Sequence, residues 1–310
     1  MRATLMLLTF NQEHFVRDAV LSALAQDCEP IDILISDDAS SDGTACIVQN
    51  VIAEYSGPHR VRFNQNACNL GIAFHINHCL KLIETDIVVA AAGDDVSNPD
   101  RVARILCRFR STGALLVHSR VTYVGSDGEP LDNFLQSDVL FMRTNSLALA
   151  AVHMALYIGA TGAWHRDLFE RYGDFRDPEC FEDLIVGFRA ALEGRIAFID
   201  DALVRYRIGN GVSTADVINS QGASPRQLRV KFLQRKRHVL EHRLSDCILS
   251  KNPQRIEIMR LLQRELGRTR LMLATHETHA ALFLARHILH LPAAIRALSS
   301  ERRRLRKLRS

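Results

Sequence analysis

Three pairs of adjacent acidic residues stand where this chain can do chemistry: Asp37-Asp38, Asp94-Asp95 and Glu182-Asp183. Asp94-Asp95 closes the apolar run Ile87-Val88-Val89-Ala90-Ala91-Ala92 and is followed by Ser97-Asn98-Pro99. Carboxylates at the end of a buried strand are costly unless a cation or hydrogen-bond donors face them. A hard divalent metal carrying a diphosphate meets that demand. A polar cap on the strand and on the next helix meets it too, and the pair alone does not separate the two readings. Asp37-Asp38 follows the apolar stretch Ile31–Ile35 and opens Ala39-Ser40-Ser41-Asp42-Gly43-Thr44. There short carboxylates can accept the hydrogens of a base or of ribose hydroxyls, or form an Asx-turn that caps a helix. In Asn69-Leu70-Gly71 the glycine permits close approach or positive φ. Glu182-Asp183 lies in the first turn of a helical pattern, where the dipole favours acids. A carboxylate there that stays partly ionised and reaches a hydroxyl can act as a general base.

The elements that must position these pairs follow from periodicity. Strands are expected at Thr4–Leu8, Ile31–Ile35, Val61–Phe63, Ile87–Ala92 and from Leu115 to Val117, with helices at Phe15–Ala25, Thr44–Tyr55, Ile72–Ile83 and Asp100–Phe109 between them. Such alternation implies a parallel sheet covered on both faces, with ligands at the carboxyl ends of its strands. Further on, Val121–Val124, Ile196–Ile199 and Leu203–Ile208 pattern as strands, and 145–151, 166–172 and 181–193 as helices. From about Ser224 the pattern is helical. Leu228, Phe232 and Leu233 form one apolar stripe, Ile256, Met259, Leu262 and Leu266 another, and Ala280–Leu291 is a more apolar helix. The boundary between a catalytic domain and a helical extension is expected at 223/224, giving 1–223 and 224–310.

The 310 residues, 47% hydrophobic, suffice for a globular core. No apolar run is long enough to span a bilayer, and the N-terminus opens on a strand, not on a leader, so a cytoplasmic protein is expected. Seven scattered cysteines without CxxC spacing fit reduced thiols and exclude a zinc ribbon. Charge is divided: residues 1–225 hold 18 Lys+Arg against 29 Asp+Glu, and residues 226–310 hold 21 against 6. Three readings stand for the basic part. It is a solvated helical face, or it lies on an anionic membrane surface at the inner face of the cytoplasmic membrane, or it docks on the acidic part within or between chains, the last giving a homo-oligomer. No nucleic-acid motif or aromatic platform supports a nucleic-acid partner.

Five motifs in order carry a resemblance: Thr9-Phe10-Asn11 with Phe15-Val16, Asp37–Thr44, Asn69-Leu70-Gly71, Gly93-Asp94-Asp95, and Glu182-Asp183 with Tyr206-Arg207 and Ser213. Together, over roughly residues 3–215, they resemble the family-two glycosyltransferases of the GT-A fold. The resemblance implies an α/β fold with a mixed, mostly parallel, Rossmann-like sheet flanked by helices. It implies an inverting transfer of a sugar from a nucleotide-diphosphate donor to an acceptor hydroxyl of a glycan or lipid-linked acceptor, in bacterial surface-polysaccharide or lipopolysaccharide assembly. It places Thr9, Asn11, Asp38, Asn69, Gly71 and Asp94 at the nucleotide sugar, Arg207 on phosphate, and Mg²⁺ or Mn²⁺ on Asp95. Asp183, assisted by Glu182, is the implied base, and Trp164 the implied acceptor-facing aromatic.

Two departures qualify this. Arg207-Ile208-Gly209-Asn210-Gly211 lacks the histidine that many relatives carry there, with Asn210 as the nearest substitute. His75 stands where relatives often have small or basic residues; a packed helix histidine and a group near the diphosphate are both open readings. The absence of QxxRW favours single addition over processive synthesis. Two alternatives remain: a non-catalytic sugar-nucleotide-binding or scaffold subunit, against which Asp95 and Asp183 argue, and a sugar-phosphate nucleotidylyltransferase, whose glycine-rich basic loop Thr9-Phe10-Asn11-Gln12 does not resemble.

Overall fold

The apolar runs become strands, and their alternation builds two cores. In a computed structural model, which describes residues 1–131, 139–178, 180–208, 224–277 and 291–307, β1 (Ala3–Thr9), β2 (Asp32–Asp37), β3 (Arg60–Gln65) and β4 (Ile87–Ala92) pair in parallel. With β5 (Val96–Ser97), β6 (Leu116–Val124), β7 (Ala163–His165) and β8 (Ile196–Arg207) they form one sheet in the order β3-β2-β1-β4-β7-β6-β8-β5. β7 runs antiparallel to β4 and β6, so the sheet is mixed, as expected. Side chains alternate across it. Met6, Leu8, Leu34, Val88 and Ala90 enter one cluster, and Leu5, Leu7, Ile33, Ile35, Val89 and Ala91 the other. Helices α1 (Val16–Leu24), α2 (Thr44–Ala53) and α4 (Arg101–Thr112) cover the second face. The first face is covered by α3 (Gly71–Leu82), α5 (Leu147–Val152), α6 (Asp167–Tyr172) and α7 (Glu182–Glu193). Thr9 lies opposite Asp37 and Leu8 opposite Ala92, so the first two acidic pairs leave the sheet along one edge.

Two expected breaks are absent. The segments 115–117 and 121–124 belong to one strand, β6, and 196–199 and 203–208 to another, β8. Asp200-Asp201 interrupts the apolar alternation between the two expected strands. The register shifts there, from Ser119 opposite Ile199 to Arg120 opposite Ala202, and the extra residues face solvent. Arg120 pairs with Asp200 at 2.5 Å, and Arg104 of α4 pairs with Asp201. A bulge of this kind bends a strand without ending it.

The helical extension is not a separate unit. Its helices α8 (Pro225–Leu249) and α9 (Arg255–Glu277) place Val239, Leu240, Cys247, Ile258, Leu262 and Leu266 in the same cluster as Leu184, Ile185 and Phe188 of α7. α8 starts cleanly: Ser224 and Gln227 form a capping box and Pro225 occupies the first turn. The expected stripe is corrected in part. Leu233 is buried, but Leu228 and Phe232 are about two-fifths exposed, because the helix turns the side holding Arg243 and Asp246 inward. α10 (Leu291–Lys307) returns to α8 through Glu301, which accepts two bonds of 2.7 Å from Arg229. Ser213, Asn210 and most of the apolar segment 280–291 lie outside the described residues.

Asp246 is the polar centre of the α7–α8 contact. It is fully buried and accepts from Arg189 of α7 at 2.9 Å, with His242 3.4 Å away. Removing one partner of a buried pair leaves an uncompensated charge. Asp246→Ala is therefore expected to destabilise the fold by about 3–5 kcal/mol, read from urea unfolding. A loss below about 1 kcal/mol, the level of an exposed pair, would contradict this placement.

Candidate active site

Strand ends and the turns after them gather the expected residues at one edge of the sheet. Thr9 donates from Oγ1 to Asp37 Oδ1 at 3.0 Å, and Ser40 N donates to Asp37 Oδ2 at 2.9 Å. Asn11 takes a left-handed conformation, φ +51, which lets its Oδ1 accept from Ser41 N at 2.9 Å. Asp38 is buried and accepts from Asn66 Nδ2 (2.8 Å), Leu70 N (3.0 Å) and Gly71 N (3.0 Å). It thus fixes the Asn69-Leu70-Gly71 turn at the start of α3, where Gly71 has φ +72. A carboxylate offers about four acceptor sites, and three are taken here. His75 resolves to the packed reading: its Nε2 lies 2.7 Å from Ser36 Oγ, and burial lowers its pKa.

Asp94 and Asp95 are both buried. Gly93 precedes them because nothing larger fits: a Cβ would lie 2.4 Å from Gln12 Oε1 and 2.9 Å from Thr9 Cγ2. Asp95 Oδ1 accepts from Arg207 N at 2.8 Å, while Asp95 Oδ2 is buried with no hydrogen-bond partner. Burial and the Asp94 carboxylate raise the Asp95 pKa well above the carboxylate range, and burial raises that of Asp94. A buried oxygen with nothing to bind is the feature that a divalent cation would satisfy. Among the described residues no group of three or more His, Cys, Asp or Glu forms a metal cage. The donor set therefore fits a hard ion held by one or two carboxylates and completed by phosphate oxygens.

Arg207, expected on phosphate, lies at the end of β8 beside Asp94-Asp95. Its Nε donates to Asp94 O at 3.1 Å, and its Nη1 to Gly125 O and Ser126 O at 2.7 and 2.9 Å. Its guanidinium lies 4.4 Å from the centre of the Phe15 ring. These contacts lock the Asp94-Asp95 turn to the end of β8.

Sequence reasoning asked for a cation opposite Asp94-Asp95 but did not find it. It is Arg101, in the first turn of α4 and fully buried. Arg101 faces Asp95, and its Nη2 donates to Ala90 O at 2.6 Å and to Ala160 O at 2.7 Å. Burial lowers its pKa to about 10. Ala90 is in the strand that ends at Asp94-Asp95, and Ala160 is in the short turn Gly159–Thr161. That turn abuts the third acidic pair: a Cβ on Gly159 would lie 2.1 Å from Glu182 Oε1. One guanidinium thus joins the strand that leads to the second acidic pair to the turn that abuts the third. The local signal was its place in α4, four residues before Ile105 and eight before Phe109, which puts this arginine on the apolar face.

Glu182 and Asp183 open α7, and Asp183 Oδ1 is shielded from solvent without a partner. Burial raises both pKa values; Glu182 adds to the rise of Asp183, which stands well above the carboxylate range. Tyr157, also missed, is buried beside them with an unpartnered hydroxyl, and burial and both carboxylates push its pKa up. Trp164 is corrected. It is 0% exposed, packed within the first-face core near Phe169, with its Nε1 unpartnered. The short strand β7 turns it inward, so it has no surface to offer an acceptor.

Gly159→Ala tests this packing. The obstacle is the far end of a flexible side chain, so the fold should tolerate the methyl while the Glu182 carboxylate moves. Turnover is expected to fall by roughly 10–100-fold, the cost of misplacing a group by about an ångström. The melting temperature should change by less than about 3 °C, under 1 kcal/mol for a chain of this size.

The family model for Glycosyl transferase family 2 matches residues 4–173. The putative glycosyltransferase EpsE of Bacillus subtilis is 34% identical over 95 residues, 31% of this chain and 34% of that protein. The putative teichuronic acid biosynthesis glycosyltransferase TuaG of the same organism is 28% identical over 136 residues, 42% of this chain and 50% of that protein. The chain thus spans about a third to a half of the length of these curated relatives. A crystal structure of S. aureus TarS 1-349 in complex with UDP-GlcNAc superposes with TM-score 0.61 at 16% identity, covering 97% of this chain and 80% of that one. The mannosyltransferase PcManGT of Pyrobaculum calidifontis, in complex with GDP-Man and Mn²⁺, superposes with TM-score 0.58 at 19% identity, covering 97% and 79%. At these identities the likeness is one of fold, the GT-A architecture.

Proposed function

The chain belongs to glycosyl transferase family 2, and on that premise we propose that it is an inverting, metal-dependent glycosyltransferase that moves a sugar from a nucleotide-diphosphate donor to an acceptor hydroxyl. The observation that carries this reading is the buried Asp95 Oδ2 with no hydrogen-bond partner, at the sheet edge it shares with Asp37-Asp38. A second acidic pair, Glu182-Asp183, with Asp183 Oδ1 likewise unpartnered, abuts the Gly159–Thr161 turn, which Arg101 joins to β4.

Thr9, Asn11, Asp38, Asn69 and Gly71 form the cradle for the nucleoside, with Asp94 toward the ribose. Asp95 Oδ2 would hold Mg²⁺ or Mn²⁺, which neutralises charge on a departing diphosphate. Arg207 keeps the Asp94-Asp95 turn in place beneath it. Asp183 accepts the proton of the acceptor hydroxyl as that oxygen bonds to the anomeric carbon. The anomeric carbon–oxygen bond breaks on the opposite face, its electron pair leaves with the diphosphate, and configuration inverts. Glu182 raises the proton affinity of Asp183 toward the pH at which the reaction runs.

The name of TuaG, a putative teichuronic acid biosynthesis glycosyltransferase, supports a setting in bacterial polysaccharide assembly. Among the described residues no helix is long and apolar enough to cross a membrane. The basic surplus of the last 85 residues supports peripheral attachment to the anionic inner face of the cytoplasmic membrane, where a lipid-linked acceptor is presented. The test is a panel of UDP-, GDP- and dTDP-sugars with Mn²⁺, read by release of nucleoside diphosphate and by the anomeric configuration of the product. Release from at least one α-linked donor with a β-linked product is expected. Release from none, or a product that retains configuration, sinks the proposal.

A further inference from the structure

The α7–α8 contact buries three charged groups completely: Arg189, Arg243 and Asp246. Arg189 and Asp246 pair with each other. The described hydrogen bonds of Arg243 all end on backbone carbonyls: Leu184 O from Nε (3.2 Å) and Nη2 (2.9 Å), and Ala151 O and His153 O from Nη1 (3.1 and 2.9 Å). Carbonyls satisfy donors but do not cancel charge, so Arg243 draws on the groups around it, Asp183 first, then Cys180 and Asp246. Leu184 is the residue after Asp183, and Arg243 and Asp183 lie close enough to perturb each other electrostatically. Resting on the assignment of Asp183 as base, we propose that Arg243, supplied by the C-terminal helical part, is a positioning residue for that base: it clamps the first turn of α7 and favours the ionised form of Asp183 against burial and Glu182. The helices after residue 223 then complete the active site, and they lie beyond the span 4–173 that the family shares.

The groups facing Asp183 are Glu182 from its own helix, Tyr157 from the segment before Gly159, and Arg243 from α8. Glu182 and burial favour the protonated carboxyl, whereas Arg243 opposes them. Burial lowers the Arg243 pKa itself to about 9. Neutralising position 243 should therefore raise the pH at which Asp183 ionises.

The test uses the full chain and needs neither donor nor acceptor. An isotope-coded water-soluble carbodiimide modifies protonated carboxyls, and peptide mass spectrometry follows Asp183 from pH 4 to 9. In Arg243→Gln, which keeps an amide donor for Leu184 O, the half-labelling pH of Asp183 is expected to rise by about one unit or more. Arg243→Lys, which keeps the charge, should stay within about half a unit of wild type. An unmoved midpoint in folded Arg243→Gln overturns the proposal. If Arg243→Gln unfolds, its midpoint falls to the ordinary carboxylate value of about 3.9. Arg243→Lys then decides, and a rise of a full unit in that variant overturns the proposal. The assignment of Asp183 itself is tested apart, by turnover of Asp183→Asn: turnover at the wild-type rate removes the base, whatever Arg243 does.

Discussion

Asp183→Asn is expected to lower turnover by roughly 10²–10⁴-fold, the usual contribution of a positioned general base, while donor affinity stays within about twofold of wild type. The asymmetry follows from position. Asp183 opens α7 against the Gly159–Thr161 turn, whereas the donor cradle is built from the ends of β1, β2 and β4. Asparagine keeps the size of the side chain and one acceptor oxygen but cannot take a proton. The Asp183 pKa is raised, so the proton-accepting form dominates only above that pKa. The rate of the wild-type enzyme should therefore fall as pH drops through it, and the residual rate of Asp183→Asn should lose that acid limb. Equal loss of donor affinity and turnover would assign Asp183 to binding.

The second large effect has an unusual sign. Asp95→Asn is expected to stabilise the metal-free protein and to abolish its response to Mn²⁺ and nucleoside diphosphate. Burial, followed by Asp94, raises the Asp95 pKa well above the ordinary carboxylate value. A carboxyl whose folded-state pKa is raised costs stability above that pKa. The cost is relieved as pH falls from the folded pKa toward the unfolded value of about 3.9. Asparagine removes the cost at neutral pH, and its Oδ1 can still accept from Arg207 N, as Asp95 Oδ1 does at 2.8 Å. The melting temperature at pH 7.5 without metal should rise by about 2–4 °C, some 1 kcal/mol for a chain of this length. Most substitutions at buried sites lower it. Turnover should fall by about 10³-fold, the equivalent of about 4 kcal/mol of charge stabilisation. The wild-type protein should gain thermal stability from Mn²⁺ with nucleoside diphosphate, and Asp95→Asn should not.

The gathering of Asp37-Asp38 and Asp94-Asp95 at one sheet edge was legible in the sequence because each pair is local. Strand, acidic pair and turn are contiguous in Asp37–Thr44 and in Ile87–Asp95, so the residues that bind and the element that aims them are read together. What escaped it lies in pairs distant in the chain. Arg101 was not singled out in the sequence, and only the return of Ala160 to its guanidinium joins the Gly159–Thr161 turn to β4. Arg243 and Asp246 looked like parts of a basic, solvated helix, yet α8 turns them into the core against α7. Trp164 failed for the same reason in reverse: an aromatic near a site can point either way, and β7 points this one inward. Asp200-Asp201 showed that an acidic pair is not always a break, since a bulge carries the strand through it. The apolar sides of α8 and α9 share a core with α7, a packing that the charge count did not reveal.

The most direct measurement compares wild type, Asp95→Asn and Asp183→Asn side by side on the sugar nucleotide that the panel identifies, with calorimetric binding and release of nucleoside diphosphate, each with and without Mn²⁺. The division of labour proposed here predicts that wild type binds and turns over the donor with Mn²⁺. Asp183→Asn should bind it and not turn it over, and Asp95→Asn should lose the Mn²⁺-dependent part of both. Mn²⁺-dependent binding retained by Asp95→Asn, or wild-type turnover by Asp183→Asn, would contradict it.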